Sequence, residues 1–152
     1  MKQITLKLFP NFNRPVVKLV NFHSFFAMID TGAVYPVWMS GEERLERLGA
    51  KKIQNVIEFG GLGGMTKGGL YEIPAFRLGD LIYPNMKIIA HRSSFPVPLL
   101  LPATMFNNLI YEINNKTHCL NITVPDDESP IRNLTIKEEN GRLHVFCSSA
   151  KQ

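Results

Sequence analysis

The residues best placed to do chemistry are Asp30, Thr31 and Gly32, which close the apolar run Phe25-Phe26-Ala27-Met28-Ile29 with a carboxylate, a hydroxyl and a glycine. A carboxylate directly after Met28 and Ile29 is expected to be partly desolvated, and burying its ionised form is costly unless a proton or a hydrogen-bond donor meets it. Asp30 therefore either does chemistry or holds a turn. The turn alternative is physical: an Asp followed two residues later by Gly accepts local backbone N–H groups and eases chain reversal.

Other constellations are weaker. His23, His91, His118 and His144 have no metal-ligand spacing with Cys119 or Cys147, so no metal or other cofactor is expected. His118 and Cys119 are neighbours in a stretch that alternates like a strand, which would point them to opposite faces and argues against a Cys/His nucleophile. The run from Gly60 to Gly69 holds six glycines in ten residues, but it leads into the strand-like Leu70-Tyr71-Glu72-Ile73 and lacks the GxxxxGK[ST] order of a phosphate-binding loop. A hairpin tip that mobile could bring its backbone close to a ligand, or could be a simple connector.

The elements that position these residues read mostly as strands. Ile4, Leu6 and Leu8 alternate with polar neighbours, and Val16 to Phe22 with Phe25 to Ile29 could form a hairpin that delivers Asp30 to its end. Ser40 to Glu43 resembles a capping box opening a short helix, with Leu45 and Leu48 on its apolar side, Glu43 and Arg47 at i,i+4 spacing, and Gly49 as its stop. Ala75 to Ala90 reads as a hairpin about Gly79-Asp80, and Val97 to Leu101 as a buried strand. Pro102 is then expected to open a second helix, because Phe106, Leu109, Ile110 and Ile113 fall at i, i+3, i+4 and i+7. After a strand from His118 to Val124, Asp126 to Pro130 reads as an exposed acidic linker, and Asn140-Gly141 as the turn of a terminal hairpin.

Asp30-Thr31-Gly32-Ala33 after an apolar strand, with Val34 to Trp38 following, resembles the active-site segment of the retropepsin-like aspartic proteases. The order of a short helix, a glycine-rich hairpin, and an apolar strand leading to a second helix extends the resemblance from about Ile4 to Val124. It implies a mainly β, retropepsin-like acid-protease barrel with two short helices, a flap hairpin and a C-terminal β-hairpin. Residues 1–125 would be the protease domain and 126–152 an extension that covers a sheet edge or joins a subunit contact. Activity would be that of an aspartic endopeptidase, with a water activated between two carboxylates that share one proton. Only one Asp-Thr-Gly is present, so the second carboxylate would be Asp30 of a partner copy, and the homodimer would be required.

The resemblance further implies that the Thr31 hydroxyls hydrogen-bond across the dimer and that Gly32 lets the backbone approach the other carboxylate. Ala33 and the flap residues Gly61, Leu62, Gly63, Gly64 and Met65 would contact the peptide, Leu62 and Met65 through apolar side chains. Two positions depart from the family pattern. Leu99-Leu100-Leu101-Pro102 has no glycine before the second helix, and Val34-Tyr35 stand where many relatives carry Asp or Ser. The alternative reading is a catalytically silent dimeric domain of the same fold that binds a peptide or a protein partner.

Composition narrows the class. A chain of 152 residues is one domain's length and rich in aromatic and β-branched residues, which favours β structure. Its longest apolar runs fall far short of the ~20 residues that cross a bilayer, and Met1 to Lys7 alternates like a strand rather than forming a signal peptide, so a cytoplasmic location is expected with both cysteines reduced. The net charge of +4 comes from scattered residues, the densest group being Lys51-Lys52, so nucleic-acid binding is not expected.

Overall fold

The computed structural model describes residues 1–19, 25–61 and 64–150. Alternating burial builds its strands: along β3 (Phe25–Asp30), Phe25, Ala27 and Ile29 are buried while Phe26, Met28 and Asp30 face a half-open side. β2 (Val16–Leu19) pairs with β3 antiparallel, as the sequence indicates, and the turn between them at His23-Ser24 lies outside the described residues. β4 (Val37–Trp38) brings Trp38 edge-to-face onto Phe25, with ring centroids 5.3 Å apart.

The short helix α1 (Glu42–Arg47) forms, seated on buried Leu45, and stops at Gly49 in a left-handed conformation. Its capping box does not. Gly41, with φ 91°, takes the N-cap position and no side chain caps the turn; the indole N–H of Trp38 instead donates to the Gly41 carbonyl at 2.8 Å. β5 (Lys51–Gly61), β6 (Gly64–Leu78) and β7 (Leu81–Ala90) follow as an antiparallel meander. Leu78 pairs with Leu81 across a two-residue turn in which Gly79 has φ 59°, so the Gly79-Asp80 hairpin is present.

β8 (Leu99–Pro102) lies between β3 and β4, parallel to the first and antiparallel to the second. The expected second helix is reduced to a 3-10 turn, Ala103–Phe106. Asn107 leaves it with extended ψ, Asn108 turns with φ 65°, and the chain enters β9 (Ile110–Asn114), where Ile110 is exposed. The i,i+3,i+4,i+7 pattern was coincidental: two asparagines tolerant of left-handed backbone, followed by a β-branched and aromatic run, favour a turn and a strand. β10 (Cys119–Val124) starts one residue later than the alternation indicates, since His118 is a left-handed turn residue. β11 (Arg132–Glu139) and β12 (Arg142–Ser149) pair along their whole length about Asn140-Gly141, both with positive φ, the geometry of a tight hairpin turn.

Among the described residues the strands form a seven-stranded sheet ordered β2-β3-β8-β4-β7-β6-β5, a three-stranded sheet β1-β10-β9 with β1 at Lys2–Lys7, and the β11-β12 hairpin. Among the described residues the edge strands β2 and β5 are not paired to each other. One buried cluster joins all three, from Ile4 and Leu120 through Trp38, Tyr71 and Tyr83 to Leu134 and Ile136. Of the acidic linker only Asp126 and Asp127 are exposed, because Ile82 N–H donates to Pro130 O and Ser129 N–H to the Ser149 hydroxyl. No described helix is long and apolar enough to cross a membrane.

Candidate functional site

Asp30 is the last residue of β3 and stands opposite Pro102 in the parallel ladder with β8, above the buried Ile29 and Leu101. Its backbone is fixed by the sheet while its side chain is half-exposed. The Gly32 N–H donates to Asp30 Oδ1 at 3.0 Å, and the Ala33 N–H to the Asp30 carbonyl at 3.0 Å. Asp30, Gly32 and Ala33 therefore form one turn that aims the carboxylate outward and leaves Oδ2 without a described partner. The turn reading of Asp30 holds locally, since its carboxylate and its carbonyl accept from the Gly32 and Ala33 N–H groups.

Thr31 is exposed and its hydroxyl meets no partner among the described residues. Gly32 has no left-handed backbone angle, and a Cβ there would meet only Asp30 Oδ1, at an ordinary 3.4 Å. Nothing described within a single chain requires glycine at that position. Val34 is exposed, and its carbonyl accepts a hydrogen bond from Thr104 Oγ1 at 3.4 Å. The Asp30 turn is thus braced by β8 below and by the 3-10 turn from the side.

The glycine-rich run is a paired ladder. Gly60 faces Met65 and Gly61 faces Gly64, so only Leu62 and Gly63 remain for the tip, and these two lie outside the described residues. Met65 is exposed and its Sδ would lie 3.8 Å from a Cβ at Gly60. Gly68 and Gly69 serve a different purpose from the tip. A Cβ at Gly68 would come within 2.5 Å of the Ala90 carbonyl oxygen, and one at Gly69 would strike the Glu42 carboxylate. They let β6 pass close to β7 and α1.

No described bond joins Gly61, Gly64 or Met65 directly to the Asp30 turn. The link is aromatic: Tyr35 meets Phe59 edge-on at 6.1 Å, Phe59 meets His91 at 5.6 Å, and His91 Nδ1 lies 3.2 Å from the Lys67 carbonyl oxygen on β6. Sequence reasoning missed these three residues as a unit. Each sits in an unremarkable strand or loop, and their meeting depends on β4, β5 and β7 being brought together by the sheet.

Other features of the surface lie elsewhere. A cleft of about 710 Å³ beside α1, lined by Arg44, Arg47, Lys67 and Arg92 with Glu42 and Glu43, includes none of residues 30–33. A second, of about 600 Å³ around Arg14 and His118, also excludes them. No group of three His, Cys, Asp or Glu side chains suited to a metal occurs among the described residues. Cys119 and Cys147 are both free, the first half-buried and the second buried.

The fold has a solved counterpart. The chain is similar to the crystal structure of a retropepsin-like aspartic protease from Rickettsia conorii, with a TM-score of 0.53 and 14% sequence identity over 97% of this chain and 92% of that one. At that identity the likeness is one of fold. It leaves only a few residues outside, so it runs beyond residue 125, where the sequence resemblance ended. No protein-family model and no curated protein sequence matches the chain.

Proposed function

We propose that the chain is an aspartic endopeptidase that works as a homodimer, with Asp30 of each copy supplying half of a carboxylate dyad. The observation that carries this is the placement of Asp30 at the end of a buried strand, one oxygen held by the Gly32 N–H and the side chain half-exposed, in a retropepsin-like fold. The chain carries a single Asp-Thr-Gly. Asp80 pairs with Lys2 at 3.5 Å, and Asp126 pairs with the N-terminal amino group. A glycine at position 32 without an internal reason, and an exposed Thr31 hydroxyl without a described partner, are the features a facing copy would use.

Two carboxyl groups about 3 Å apart cannot both ionise, so the pair holds one proton. The ionised member takes a proton from the water between them, and the water oxygen bonds to the peptide carbonyl carbon. The protonated member donates to the oxyanion as it forms. Collapse of this intermediate, with a proton delivered to the nitrogen, breaks the C–N bond. In this reading the tip residues Gly61 to Met65 act as a flap over the peptide, Ala33 contacts the peptide backbone, and 126–152 is an extension of the 1–125 protease body.

The test is cleavage of a peptide library at mildly acid pH by wild type and by Asp30→Asn, with sedimentation to establish the dimer. Loss of all cleavage in the variant is expected, and equal cleavage by both overturns the proposal. The exposed apolar Val34 beside Asp30 favours the second reading, a silent dimeric domain that binds a peptide or protein partner. Stoichiometric peptide binding without products would select it.

A further inference from the structure

Arg132 is the one charged residue that is completely buried among those described. Its side chain crosses from the β11-β12 hairpin to the 3-10 turn Ala103–Phe106: Nε donates to the Met105 carbonyl at 3.3 Å and Nη2 to the Asn107 carbonyl. Nη1 reaches the Ser149 hydroxyl at 3.3 Å and the Ser129 carbonyl at 3.5 Å, with the Glu128 carboxylate at 3.8 Å. The Met105 carbonyl also receives the Tyr83 hydroxyl at 2.8 Å and the Cys147 thiol at 3.6 Å. Three elements thus converge on one backbone oxygen.

The turn held in this way is not remote from Asp30. It begins immediately after Pro102, the residue paired with Asp30, and its Thr104 hydroxyl donates to the Val34 carbonyl four residues past the carboxylate. We propose that Arg132 is a positioning residue for the Asp30 turn, acting from the C-terminal hairpin through the Met105 and Asn107 carbonyls.

Apolar contacts already dock this hairpin, since Leu134, Ile136 and Cys147 are buried in the common core. A buried guanidinium adds a desolvation cost that apolar side chains would not carry, and what it supplies in return is fixed geometry. Its planar fork can hold two carbonyls of one turn in a set relation, which a lysine ammonium cannot do. The 3-10 turn needs such a clamp because it is one turn long and lacks a side-chain cap.

The role of Arg132 in catalysis rests on the endopeptidase reading, so the deciding experiment has a readout independent of it. In the full chain, Arg132→Lys is expected to speed hydrogen exchange at the Gly32 and Ala33 amides about tenfold while amides in β1 and β10 keep their wild-type rates. Peptide cleavage by the same variant should lose about tenfold in kcat with KM within about twofold. If wild type cleaves nothing, the endopeptidase reading fails and the amide rates alone decide the positioning role. Wild-type amide rates at Gly32 and Ala33 in folded Arg132→Lys would overturn the proposal, whatever happens to its melting temperature. Should that variant not fold, Ser149→Ala, which removes one acceptor from Nη1, should give about a threefold change in the same direction; no change there overturns it as well.

Discussion

The β5-β6 and β11-β12 hairpins are both long antiparallel ladders, yet they are fastened in opposite ways. β5-β6 is fastened at its base by close packing: Gly68 under the Ala90 carbonyl, Gly69 against Glu42, and Phe59 between Tyr35 and His91. Toward its far end Gly64 and Met65 are exposed. Its register also slips twice between Lys52 and Ile57, with Gln54 folded back onto the Val56 carbonyl at 2.8 Å, which twists the strand locally. The β11-β12 hairpin has an unbroken register and a polar anchor, with Arg132 satisfied on all sides. Two ladders of the same kind thus rest on different roots, close backbone and ring packing in one and buried hydrogen bonds in the other.

The largest effect should come from removing the polar root. Arg132→Met leaves the Asn107 carbonyl and the Glu128 carboxylate without their buried partner, and a loss of about 3 kcal/mol in unfolding free energy is expected. Chemical denaturation checks this; a loss within about 0.5 kcal/mol would mean that apolar docking suffices and that the two hairpins are held alike.

At the other root, two neighbouring glycines should behave differently. Gly68→Ala drives a methyl into backbone and should cost about 2 kcal/mol. Gly69→Ala strikes the end of a flexible Glu42 side chain, whose 3.4 Å ion pair with Lys52 is partly exposed, so less than about 1 kcal/mol is expected. Equal melting temperatures for the two variants would refute the packing account of this hairpin base.

Alkaline pH provides the gentlest discrimination. Burial pushes the Cys147 thiol and the Tyr83 phenol above their ordinary values. Both therefore hold their protons more tightly folded than unfolded. Their contribution is complete below the unfolded values, about 8.5 for Cys and about 10 for Tyr, and declines as pH rises from there toward the folded ones. Stability should fall above about pH 8.5, and Cys147→Ala should flatten the first part of that fall. An unchanged profile in the variant would show that the thiol does not set it.

Much of this architecture was legible locally. Gly79-Asp80 and Asn140-Gly141 specify their turns through residues that accept positive φ, and the alternation from Phe25 to Asp30 delivers the carboxylate to a strand end. What was not legible depends on distant partners. Gly41, with φ 91° and its carbonyl accepting from the Trp38 indole, takes the N-cap place that the Ser40–Glu43 pattern gives to Ser40, and the apolar spacing after Pro102 lost to Asn107 and Asn108. The glycine run looked uniform in sequence because only the neighbours of Gly68 and Gly69 reveal that those two are packing residues. Arg132 gave no signal at all: it is an ordinary basic residue until Met105 and Asn107 are placed beside it.

The parallel ladder that sets Asp30 beside Pro102 has a consequence for the timing of synthesis. Val34 and Thr104 are 70 residues apart, and the Arg132 clamp on the same turn comes later still. A polypeptide still emerging from the ribosome lacks the strand that completes the floor under this carboxylate, since contacts of such long sequence separation form only once both partners are available. The carboxylate is translated before the residues that seat it, so its turn is braced only once Thr104 and Arg132 have both followed it out of the ribosome.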